Sequence, residues 1–159
     1  MASDKTNVMR VLEQHKIAYT AHEYPHGKDA VGGVTVAQLL GQNVDQVFKT
    51  LAARGKSGGY HVFVIPVARE LDLKKAAKAA GEKSVEMVHV KELLGLTGYV
   101  RGGCSPVGMK KAFPTVFDES VNGLPSVIVS AGKIGYQIEC APADLIGLVR
   151  AKTAPITTD

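Results

Sequence analysis

The spacing of apolar residues changes character several times along the chain, and each change marks an element. Val8, Val11 and Leu12, with His15, recur at helical spacing behind the candidate caps Ser3, Asp4 and Thr6, which predicts an amphipathic helix ending near Lys16. Residues 17–24 read as a short strand, broken by Pro25-His26-Gly27-Lys28-Asp29 into a loop that carries Gly32-Gly33. Thr35 can cap a second helix, with Val36, Leu39 and Leu40 on its apolar face and Gly41 as its stop. Residues 46–54 and 60–68 are β-type runs joined by Gly55-Lys56-Ser57-Gly58-Gly59, a hairpin signal. Asp72 heads a helix through Leu73, Ala76, Ala77 and Ala80 that stops at Gly81; residues 84–88 suggest another strand and residues 90–96 a short helix. In the last third the period turns to two. Residues 115–121, 126–130 and 134–140 read as strands linked by Asn122-Gly123 and Ala131-Gly132-Lys133, a predicted meander. Pro142 opens a closing helix with the stripe Leu145, Leu148 and Val149, and Asp144 in its first turn complements the helix dipole. Residues 153–159 read as a frayed end.

Helices interspersed with hairpins, without strict βαβ repetition, predict an α+β domain with a mixed, largely antiparallel sheet and disfavour a doubly wound fold. At 159 residues and 45% hydrophobic content, the chain is long enough for one buried core and short for two, so residues 1–159 are expected to form a single domain.

Nineteen Lys and Arg against 15 Asp and Glu give a formal charge of +4, which leans toward anionic partners such as RNA or phosphorylated metabolites. The cations are scattered as Lys74-Lys75, Lys78, Arg101 and Lys110-Lys111, a pattern that also describes a solvated basic face. Cys104 and Cys140 show neither CxxC spacing nor the density of a stapled secreted domain, which points to a reducing compartment. Residues 1–5 carry no apolar signal core and no run approaches the length of a membrane span, so a cytoplasmic protein without a membrane partner is expected.

Candidate chemistry concentrates in residues 98–111, where glycines, Pro106, Ser105 and the cations Arg101, Lys110 and Lys111 crowd together. Gly102-Gly103 can take positive φ and let a ligand approach bare backbone amides, and consecutive turn amides can form an anion-binding concavity. An ordinary surface turn explains the same composition. Lys49 lies inside a β-type run and reads either as an edge-strand lysine that discourages aggregation or as a functional cation. Cys104 fits a small buried thiol better than a nucleophile. Ser130-Ala131-Gly132-Lys133 is a hairpin turn by composition or a second half-site facing the glycine-rich stretch. His22 and His26 are separated by Pro25 on extended flanks, and His15, His61 and His89 lack neighbours at metal spacing, so no metal site is expected.

Phe48-Lys49-Thr50, Leu71-Asp72-Leu73-Lys74-Lys75-Ala76-Ala77-Lys78, Val85-Glu86-Met87, Gly98-Tyr99, Gly102-Gly103 with Ser105-Pro106 and Gly108, Lys110-Lys111 and Ser130-Ala131-Gly132-Lys133 together resemble the YbaK/EbsC family. The resemblance spans nearly the whole chain in one consistent order. It implies a curved, mixed central sheet flanked by helices, related to the editing domain inserted in bacterial prolyl-tRNA synthetases. The implied activity is deacylation of cysteine mischarged onto the tRNA for proline, without a cofactor, with prolyl-tRNA synthetase as a partner. It makes Lys49 the functional lysine beside the aminoacyl ester and places Tyr24, Phe48 and Thr50 in the substrate pocket. Gly102, Gly103, Ser130 and Gly132 would line the opposite side, their amides holding the carbonyl oxygen as charge develops on it. Two departures stand out. Gly32-Gly33 replaces the Phe-Gly usual in the branch, and Cys104 replaces an aliphatic residue, which argues against a nucleophilic role for that thiol. The implied chemistry is substrate-assisted, the cysteinyl thiol attacking its own ester carbonyl. Deacylation of alanine or another small amino acid, or a non-catalytic tRNA or synthetase adaptor, are the alternatives.

Overall fold

The computed structural model describes residues 5–25 and 32–158. The candidate caps Ser3 and Asp4, residues 26–31 of the expected loop with His26, and Asp159 lie outside the described residues. The elements run α1 (Asn7–Gln14), β1 (Tyr19–Glu23), α2 (Gly33–Leu40), β2 (Phe48–Gly55), β3 (Tyr60–Pro66), α3 (Leu73–Ala80), β4 (Val85–Met87), α4 (Val90–Thr97), β5 (Thr115–Asp118), β6 (Val127–Ser130), β7 (Tyr136–Cys140), α5 (Pro142–Val149) and β8 (Lys152–Ala154). Thr6 caps α1 by accepting from the Met9 amide at 3.3 Å, and Asp72 caps α3 by accepting from the amides of Lys74 and Lys75, both at 3.0 Å. Thr35 is not a cap. Helix α2 starts at Gly33, after Gly32, which leaves Thr35 exposed inside the first turn.

The α+β class is as expected, with the strands divided between two sheets. A three-stranded antiparallel sheet has the order β1-β7-β6, and a five-stranded mixed sheet the order β4-β2-β3-β5-β8. They meet at a parallel bridge between Val47 and Ile128. The hairpin of β2 and β3 forms as predicted, closed by the Gly55 amide on the Gly59 carbonyl at 2.7 Å.

Two expectations from the last third are corrected. Residues 115–118 do not join β6 and β7 in a meander; β5 lies parallel between β3 and β8. All four of its residues are buried: Phe117 packs into the cluster with Val62 and Val64 and Val116 into the cluster beneath α3, so both faces are covered while β3 and β8 pair its two edges. Asp118 then turns the chain away by accepting from the Ser120 amide at 3.1 Å. The tail is not frayed either. β8 pairs with β5, the Ile156 side chain is fully buried, and its amide donates to Asp118 Oδ1 at 3.1 Å.

Strand β3 is the hinge of the core because its period-two alternation serves two clusters. Val62 and Val64 pack with Phe117, Val129, Ile138, Leu12 and Leu145 on one side, whereas Phe63 and Ile65 pack with Ala76, Ala77, Val116 and Ile156 beneath α3. Each such fully buried side chain contributes about 1.5–3 kcal/mol relative to exposure. At the far end of the hairpin, the Glu82 carboxylate accepts from the Ser57 hydroxyl at 2.7 Å and the Ser57 amide at 3.1 Å, and lies 2.8 Å from His61 Nε2. Those contacts, Ser57 first and His61 next, hold its pKa down to about 2.

Candidate functional site

The seam between the two sheets is where the candidate residues meet. The long β2 strand pairs with β3 along Phe48–Arg54, but on its other side β4 covers only Ala53–Gly55. The first half of β2, including Lys49, therefore faces the junction with β6 and not an open edge. A cavity of about 530 Å³ opens there. Its walls are Phe48, Lys49, Thr50 and Leu51 of β2, the first turn of α2, Arg101, Gly102 and Cys104, Ser130 at the end of β6, Tyr136 and Gln137 at the start of β7, and Tyr24.

Lys49 is half-buried, and among the described residues its ammonium makes no ion pair or hydrogen bond. Next to it, Thr50 is 9% exposed, and its hydroxyl has no partner among the described residues. A buried hydroxyl left so costs about 1–3 kcal/mol, which makes it an available contact for a bound molecule.

The glycine-rich stretch is a self-bonded loop with a buried centre and exposed flanks, and only part of it reaches the cavity. Gly103, Cys104, Ser105 and Val107 are buried, the Val107 amide donates to Ser105 Oγ at 3.2 Å, and the Tyr99 hydroxyl donates to the Val107 carbonyl. Gly102 has φ 87° and lines the cavity. Gly103 is instead a close-approach glycine, since a Cβ there would lie 3.0 Å from the Ile134 amide nitrogen. Neither Gly103 nor Gly132 lines the cavity. Their amides are engaged, Gly103 with the Val100 carbonyl at 3.0 Å and Gly132 with Ser130 Oγ at 3.1 Å. The cations Lys110 and Lys111 are exposed and outside the cavity.

Cys104 contributes a buried thiol whose pKa burial pushes up to about 11, against a smaller opposing effect of a hydrogen bond with Thr97. Such a group carries almost no thiolate near neutral pH. The histidines are engaged elsewhere: His22 Nε2 lies 2.7 Å from Glu139 Oε1, and His61 is held by Glu82. Among the described residues, no group of three or more His, Cys, Asp or Glu could hold a metal ion.

Sequence reasoning missed Gln137, which stands opposite Ser130 in the β6–β7 register and accepts from Gln42 Nε2 at 2.8 Å. Only that register, linking positions in different runs, could have shown it. Arg101 was legible as a cation of the glycine-rich stretch; its place in the cavity wall was not.

With this geometry in view, comparisons with known proteins are informative. The aminoacyl-tRNA editing domain family matches residues 29–148. EbsC of Enterococcus faecalis, which carries the name Cys-tRNA(Pro)/Cys-tRNA(Cys) deacylase, is 50% identical over 97% of this chain and 94% of its own length. A proline–tRNA ligase of Thermosipho melanesiensis is 29% identical over 64% of this chain, a stretch that makes up 18% of the ligase. A crystal structure described as a trans-editing enzyme for prolyl tRNA synthetase superposes with a TM-score of 0.84 at 26% identity, covering 100% of both chains. The match over most of the chain, and the identity with EbsC along nearly all of it, place this protein in the aminoacyl-tRNA editing domain family.

Proposed function

We propose that this protein is a trans-editing aminoacyl-tRNA deacylase that removes cysteine mischarged onto tRNA, the tRNA for proline in particular. Similarity along nearly the full length to a protein named for that reaction supports the reading. The observation that carries its chemistry is a cavity in which, among the described residues, Lys49 and the Thr50 hydroxyl have no partner and the thiol of Cys104 is held in its neutral form by burial.

An aminoacyl ester is already activated, so a protein that orients it and stabilises developing charge needs no triad. The substrate's cysteinyl sulfur attacks its own ester carbonyl. The C–S bond forms as the bond from the carbonyl carbon to the ribose oxygen breaks, the ribose oxygen takes a proton, and a small thiolactone leaves to hydrolyse in water. Lys49 provides positive charge beside the ester, and Tyr24, Phe48, Thr50, Gly102 and Ser130 shape the space that folds the side chain back on the carbonyl. Gly103 and Gly132 support the walls through packing, because their amides are already bonded. The protein works in the cytoplasm, with a prolyl-tRNA synthetase supplying tRNA selectivity; its two free, buried cysteines suit a reducing compartment.

The test is deacylation of tRNA charged with cysteine, alanine, serine or proline, with and without prolyl-tRNA synthetase. Cysteine is cleared fastest. Preference for alanine would replace the substrate, and binding without turnover would leave an adaptor.

A further inference from the structure

The cavity contains a set of hydrogen-bond donors that no role above uses. An α-helix leaves its first N–H groups without intrahelical acceptors, and the cap residue of α2 is Gly32, which has no side chain to take one. Val36 donates to the Gly32 carbonyl at 3.0 Å, but the amides of Gly33, Val34 and Thr35 have no acceptor among the described residues. These three residues line the cavity together with Lys49 and Arg101. Arg101, like Lys49, makes no ion pair or hydrogen bond among the described residues, and no described carboxylate lines the cavity. A helix N-terminus with free amides carries partial positive charge and suits an anion. On the β2 wall of the same cavity, beside Lys49, the nine-tenths-buried Thr50 hydroxyl has no partner among the described residues and independently marks the cavity as a place where a bound molecule completes the hydrogen bonding.

We propose that the first turn of α2, together with Arg101, is a subsite for a nucleotide phosphate, the phosphodiester that precedes the aminoacylated terminal adenosine. The assignment rests on the reading that the cavity receives the charged end of a tRNA. Exposure decides between a phosphate and the ester's oxyanion. Val34 is 38% exposed and Gly32, Thr35 and Arg101 are also exposed, so this subsite sits in water at the rim, where a permanent anion binds well. Stabilising a transient oxyanion needs a water-excluded place, and half-buried Lys49 is better suited to it. The phosphate at the rim and the ester near Lys49 then fix both ends of the terminal nucleoside, for which a cavity of about 530 Å³ has room.

The test is an NMR titration of the whole isotopically labelled chain with adenosine 5′-monophosphate, adenosine and inorganic phosphate. The monophosphate is expected to move the amide resonances of Gly33, Val34 and Thr35, whereas adenosine moves those of Lys49 and Thr50 but leaves the α2 turn in place. Arg101→Gln should weaken the monophosphate about tenfold, as loss of a charge-assisted bond does, with adenosine binding unchanged. Val34→Pro removes one rim amide and should weaken the monophosphate too; if it unfolds by circular dichroism, the Arg101 variant and the resonance shifts decide. Equal binding of monophosphate and adenosine, or an unmoved α2 turn, would overturn the proposal. Inorganic phosphate binding as tightly as the monophosphate would also overturn it, by making this a free-anion site. Loss of the editing reading looks different: no charged tRNA is deacylated although the monophosphate still binds at α2.

Discussion

Gly33 in α2 approaches Val67, just after β3, so closely that a Cβ on the glycine would lie 2.5 Å from Val67 Cγ1 and 2.8 Å from Val67 Cβ. Both residues line the cavity, so this contact sets how near the first turn of α2 comes to the segment after β3. It leaves room for no side chain at position 33 unless Val67 moves. Gly33→Ala should overpack the contact by about 1–3 kcal/mol and push the turn outward, lowering both melting temperature and deacylation. Val67→Ala in the same chain should restore only part of the loss, because it removes the Cγ1 contact but keeps the Cβ at 2.8 Å, whereas Val67→Gly removes both contacts. Wild-type stability and activity in Gly33→Ala alone would refute the contact's importance.

Lys49→Ala should cut single-turnover deacylation by about a hundredfold or more, because it removes the preorganised charge beside the ester. Its ammonium supports no ion pair among the described residues, so circular dichroism and thermal melts should stay near wild type. A folded variant with near wild-type rates would remove Lys49 from the mechanism.

Cys104→Ala should remain active on cysteinyl-tRNA, since a thiol pushed up to about 11 by burial is a poor nucleophile. Serinyl-tRNA should be cleared slowly, because a neutral hydroxyl is a far weaker nucleophile than a thiol with some thiolate character. An inactive but folded Cys104→Ala protein, with equal rates on the two substrates, would point to an enzyme nucleophile.

Glu82 makes stability depend on acid pH. Its folded-state pKa is lowered from the ordinary 4.5 to about 2, so the contribution of its contacts is complete above about 4.5 and is lost as pH falls toward 2. Thermal melts across that window should show a falling midpoint, and Glu82→Gln should flatten this acid limb while lowering stability at neutral pH. An unchanged slope in the variant would assign the acid sensitivity to other carboxylates.

Ile156→Ala should destabilise the fold by about 2–5 kcal/mol, the cost of emptying a fully buried aliphatic site. Denaturant titration measures this. A cost within about 0.5 kcal/mol, typical of a surface position, would mean that the tail is peripheral after all.

Local chemistry made much of this protein readable in one dimension. The Asp72 cap, the Gly41 and Gly81 stops, the glycine-rich turn of the β2–β3 hairpin and the alternation of β3 are decided within a few residues, and a motif order along the chain carried the family. Partners distant in sequence were not readable. β5 is buried on both faces and pairs with β3 and β8 along its two edges, but its own four residues do not say which strands those will be. Residues 153–158 have the composition of a loose end, and only the vacancy beside β5 and the Asp118 carboxylate make them a strand and a buried plug. The same holds at the site. Lys49 and the glycine-rich stretch stood out as candidates in one dimension, but which amides have acceptors is decided by hydrogen bonding in three: Gly103 and Gly132 spend theirs internally, while those of the first turn of α2 have no acceptor among the described residues, because a helix cannot bond its first N–H groups to itself.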